Sequence, residues 1–99
     1  MRLKQHQIET ICRAVTELAG AEARVSLFGS RVDDNARGGD IDLLVELPYS
    51  VDEPAWLSAR ISGRISHRLR GQKIDVIITA PNLECFPIHD VAKREGIVL

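Results

Sequence analysis

An α/β domain is predicted by three observations on this 99-residue chain. Two long stretches carry apolar residues at helical spacing, three short apolar runs alternate as strands do, and the two kinds interleave. The order is helix, strand, loop, strand, helix, strand, short helix, which predicts a small mixed β-sheet covered by helices. The length fits one domain, residues 1–99, with 44% apolar residues to fill a single modest core.

In the first helix Ile8, Ile11, Cys12, Val15, Leu18 and Ala19 fall three and four apart, and Gly20 is a natural stop. The run "ARVSLF" follows as a short strand with Val25 and Leu27 alternating with Arg24 and Ser26. It leads into Gly29 and Ser30. The segment "DDNARGG" has no periodicity and the composition of a loop. "DIDLLVEL" then reads as a second strand ended by Pro48. The second helix is expected to start at an Asp52 N-cap, with Glu53 and Pro54 in its first turn. It carries Leu57, Ile61, Ile65 and Leu69 at steps of four before Gly71. "KIDVIIT" is a third strand, closed by Pro81, with Lys73, Asp75 and Ile77 on one face by alternation. The tail "FPIHDVAKREGIVL" predicts a short helix stopped by Gly96, then three apolar residues that dock or add an edge strand.

Composition narrows the function classes. A net charge of −1 argues against gripping long nucleic acid through its phosphates. No apolar run approaches the roughly 20 residues that span a bilayer. The N-terminal "MRLKQHQIETICR" scatters charges and amides where a signal peptide is continuously apolar, so the expected location is cytoplasmic. Cys12 and Cys85 have no metal or redox spacing and read as reduced thiols. His6, His67 and His89 form no metal spacing and read as surface or lightly packed residues.

The chemistry lies in the acids. Asp40 and Asp42 alternate in an apolar run, so an extended strand sets both carboxylates on one face. Like charges that close persist at little cost when they are well solvated or share a cation. Asp75 repeats the pattern on the next strand, and strands consecutive in sequence are often neighbours. Three converging carboxylates suit a hard divalent ion such as magnesium, whose shell substrate phosphates complete. Gly29 and Ser30 end a strand at a turn where backbone N–H groups and a hydroxyl can meet phosphate oxygens, and Arg31 can add a forked contact. Taken singly, each part has a plainer reading: a turn, a loop-end acid, or surface acids paired with Lys73 or Arg37.

"FGSR", then "GDIDLLV" after a loop, then "KIDVII", resembles the nucleotidyltransferase superfamily typified by DNA polymerase beta. Within it, the chain is most similar to the small stand-alone minimal nucleotidyltransferases (MNT), over about residues 25–79, and the ending "AKREGIVL" is also similar to theirs. The resemblance implies a polymerase-beta-like nucleotidyltransferase fold, in which Gly29 and Ser30 form the nucleotide-phosphate turn and Arg31 occupies an often basic position. It also implies that Asp40 and Asp42 hold magnesium, usually two ions, and that Asp75 acts on the attacking hydroxyl as base or ligand. ATP is the implied substrate. The implied partner is a helical HEPN-domain toxin, with the chain as its antitoxin, adenylylating a toxin tyrosine in some members. Two departures stand out: Gly39 occupies a position where the family commonly has Ser, and the loop from Ser30 to Asp40 is slightly shorter.

Three further readings complete the expectations. Arg60, Arg64 and Arg68 form a stripe that is either a solvated face or a docking surface. Trp56 is expected to fill a core or interface, and Tyr49 is a loop aromatic that could also accept self-modification. The chain is too short to hold an acceptor of its own, so a partner or a homo- or hetero-oligomer completes it. The rival to catalysis is a binding module that neutralises its toxin by occlusion, with a vestigial nucleotide site. Modification of a small molecule, as by antibiotic-modifying relatives, fits less well because those carry a further domain.

Overall fold

A computed structural model describes residues 3–29, 39–84 and 87–99. The elements are α1 (Gln5–Ala19), β1 (Arg24–Phe28), β2 (Ile41–Glu46), α2 (Pro54–Arg68), β3 (Ile74–Thr79), α3 (Pro87–Glu95) and β4 (Ile97–Val98). They form a four-stranded mixed sheet in the order β3-β2-β1-β4. β2 pairs with β3 in parallel, and β1 pairs antiparallel with both β2 and β4. The apolar tail therefore adds an edge strand.

Strand alternation decides which face each residue serves. Val25 and Leu27, Ile41, Leu43 and Val45, and Ile74 and Ile78 point to one face. There they meet Ile11, Ala14, Val15 and Ala19 of α1 and Ile61 and Ile65 of α2 in the main core. The other face carries Phe28, Leu44 and the half-buried Ile77, packed against Ala92 of α3. That second cluster is small. The same face is left with polar residues at the end of the sheet where β2 and β3 begin.

Three local devices hold the frame. Pro54 occupies the first position of α2, where its missing N–H costs nothing, and it disfavours helical geometry in the residue before it. Glu53 is therefore the N-cap, at φ −128° and ψ 73°, in place of the expected Asp52, and its side chain makes no capping hydrogen bond. On the outer edge of β3, Ser58 and Ser62 donate to the carbonyls of Val76 (2.8 Å) and Ile74 (2.7 Å). Those carbonyls face away from β2, because Lys73 and Thr79 supply the carbonyls that β2 and its flanks use. α2 thus satisfies an edge that would otherwise invite another strand. Asn82 clamps the loop before α2, accepting from the Val51 N–H (2.9 Å) and donating to its carbonyl (2.8 Å).

Gly96 has to be glycine for space. A Cβ there would run into the Ala92 carbonyl and stand 3.3 Å from the Leu27 carbonyl. The close approach lets α3 pass directly into β4.

Three side-chain expectations need correction. Trp56 is 63% exposed, which corrects the core half of its expectation and leaves the interface half standing as an expectation; it lies one residue ahead of the buried stripe and turns about 100° away from it. His89 is buried at 6% exposure, where a surface site was expected, because α3 lays His89 and Ala92 inward. The arginine stripe is partly spent within the molecule. Arg64 and Arg68 reach Glu17 of α1 at 3.4 and 2.8 Å, and these contacts hold the Glu17 carboxyl below its ordinary range, the Arg68 hydrogen bond most of all. Tyr49 is partly exposed on its loop, and its hydroxyl donates to the Ala19 carbonyl at the end of α1. Cys12 is half-buried, and burial pushes its thiol up, as suits an inert thiol; Cys85 lies outside the described residues. Among the described residues no helix is long and apolar enough to cross a membrane.

Candidate active site

The parallel pairing of β2 with β3 sets Asp42 directly beside Asp75. Register partners on adjacent strands point to the same face, so the two carboxylates share the polar end of the sheet next to the Phe28–Leu44–Ala92 cluster. β1 completes the row from the other side, with Phe28 opposite Asp42. The next residue, Gly29, has φ +77°, a left-handed conformation that favours glycine. A Cβ at Gly29 would collide with the Asp42 carboxylate and come within 3.1 Å of its Cγ. The strand end and the acid therefore pack backbone against carboxylate.

The electrostatics of Asp42 report the same crowding. Burial pushes its carboxyl above the usual carboxylate range, and the charges of Asp75 and Asp40 and a hydrogen bond with Asp75 push it further. Lys73 pulls it back. Such a site is short of positive charge, and its donors are carboxylate oxygens. That donor chemistry fits a hard divalent cation.

Asp40 behaves differently. It precedes β2, and its Oδ2 lies 3.5 Å from the Nζ of Lys73, the residue before β3. Among the described residues no three His, Cys, Asp or Glu side chains gather closely enough to hold a metal ion. Sequence reasoning set all three acids in one patch. The structure brings Asp42 and Asp75 together and pairs Asp40 with lysine.

Gly29 stands where the phosphate turn was expected. Ser30, Arg31 and Arg37 lie outside the described residues. Lys73, read from the sequence only as a counter-ion for the surface acids on its face, is found with Asp40; Gln72, whose side-chain amide donates to the Gly39 carbonyl, has no place in that reading. The signal for Lys73 was available: it stands two residues before Asp75 as Asp40 stands two before Asp42, so parallel pairing of the acids makes neighbours of the other two.

Residues 8–99 match the family model described as "Nucleotidyltransferase domain". Among the described residues, the four-stranded mixed sheet with its three helices is consistent with the polymerase-beta-like fold of that superfamily. No curated protein matches the chain.

Proposed function

The chain belongs to the nucleotidyltransferase domain family, and from that premise we propose that it is a magnesium-dependent transferase that moves an adenylyl group from ATP to a tyrosine of a HEPN-type toxin, for which it is the antitoxin. Members of the family generally use magnesium and nucleoside triphosphates. The observation that carries the catalytic half of this reading is the Asp42–Asp75 pair, two carboxylates held side by side next to the glycine that follows β1. The toxin half rests on the resemblance of "FGSR", "GDIDLLV" and "KIDVII" to the minimal nucleotidyltransferases.

Each residue then has a role. Asp40 and Asp42 would hold magnesium, which when bound would neutralise the triphosphate so that an oxygen can approach it. Gly29 lets the backbone come close to phosphate oxygens, with Ser30 and Arg31 next in the chain to add a hydroxyl and a guanidinium. Asp75 takes the proton of the acceptor hydroxyl. The new bond joins that oxygen to the α-phosphorus, the bond from the α-phosphorus to the bridging oxygen breaks, and pyrophosphate leaves.

Pyrophosphate release, assayed with each of the four nucleoside triphosphates, magnesium and a HEPN-type protein encoded beside the chain, tests the reading. Release that favours ATP and disappears in Asp42→Asn and Asp75→Asn supports it. A partner complex that forms equally well with both variants, without release from the wild type, favours neutralisation by occlusion.

A further inference from the structure

Lys73 and Asp40 stand on the same two chain segments as the acid pair, one alternation earlier. Their side chains are 69% and 49% exposed, so the pair is a surface ion pair, of the kind that contributes little to stability and exchanges partners readily. The backbone around it is fastened from both sides. The Ile41 N–H donates to the Lys73 carbonyl at 3.1 Å, and the Gln72 amide donates to the Gly39 carbonyl. A change of partner at Lys73 is thus a side-chain movement that leaves the sheet in place. Lysine suits it, with a compact charge on a flexible stem.

We propose that Lys73 is an exchangeable counter-ion for the acid site: it holds Asp40 aside while no divalent cation is present, and it turns to the nucleotide phosphates once Asp40 joins Asp42 and Asp75. The inference rests on the magnesium-nucleotide reading of the site. It explains why an acid two residues from Asp42 is found with a lysine. It also gives Lys73 two effects of opposite sign. Against the cation alone, Lys73 competes. Toward the nucleotide, it adds a charged donor.

Calorimetric titration of the full chain with manganese alone, then with ATP at saturating manganese, separates the two. Lys73→Met should bind manganese about two- to fivefold more tightly than wild type at low salt, and the difference should fade as salt screens the exposed charges. The same variant should bind ATP about tenfold more weakly, having lost a charge-assisted contact. Lys73→Arg, which keeps a charge for Asp40, should bind manganese as the wild type does. Metal-free melting temperatures check that the exposed substitutions leave the fold intact. A Lys73→Met protein that binds manganese no more tightly than wild type, or binds ATP equally well, overturns the inference alone. A wild-type chain that binds no manganese overturns it together with the reading of the site.

Discussion

Gly29 and Asp42 compete for one volume: the space a side chain would need at the end of β1 is filled by the carboxylate of the acid on β2. Gly29 and the acid are therefore one structural unit, with consequences for both.

Replacing Gly29 by Ala tests that unit. The new Cβ meets a φ of +77° and the Asp42 carboxylate together. The left-handed conformation alone costs about 1–2 kcal/mol for a residue with a Cβ, so chemical denaturation should show at least that loss. Manganese affinity should fall with it, because Asp42 has to move.

Asp42→Asn should raise the stability of the metal-free protein at neutral pH. An acid whose carboxyl is raised on folding contributes stability below its unfolded pKa, and loses that contribution as pH rises through the folded value. At pH 7 the wild type therefore carries a charge that folding disfavours, which asparagine removes. Melting curves at pH 4 and pH 7 check the sign: the advantage of the variant should be larger at pH 7, and added magnesium should stabilise the wild type more than the variant.

Asn82→Ala should be costly although the residue is on a loop. It removes the partners of both backbone polar groups of Val51, a residue with 8% exposure. A loss of about 1–3 kcal/mol is expected from equilibrium denaturation.

Trp56→Ser should leave stability within about 0.5 kcal/mol of wild type, as substitutions at exposed positions do. If Trp56 serves an interface, the same variant should weaken partner binding in a pull-down while its melting temperature holds.

Much of the fold was legible because periodicity records it. The spacing of Ile8, Ile11, Val15 and Leu18 gave α1 its bounds, and alternation gave the three longer strands. The pairing of β2 with β3 is not written locally; it follows only from the tendency of consecutive strands to adjoin. That tendency held, and with it the meeting of Asp42 and Asp75. The exposure of Trp56 within the chain was legible too, since the stripe of Leu57, Ile61 and Ile65 already turns residue 56 aside. His89 could not, because α3 buries His89 and Ala92 while Ile88 and Val91 stay exposed, the reverse of their polarity. The Glu17 contacts to Arg64 and Arg68 join α1 to α2 across the sequence, and no local pattern announces them. The pairing of Asp40 with Lys73 belongs to the same class, legible only once the strands are set in register.

The most direct test of the central claim is the intact mass of the proposed HEPN-type partner after incubation with this chain, magnesium and ATP. The account predicts a gain of one or more adenylyl units on tyrosine, absent with Asp42→Asn and with Asp75→Asn. An unchanged partner mass, with a toxin that is nevertheless silenced by both variants, would contradict it and leave a protein that acts by binding.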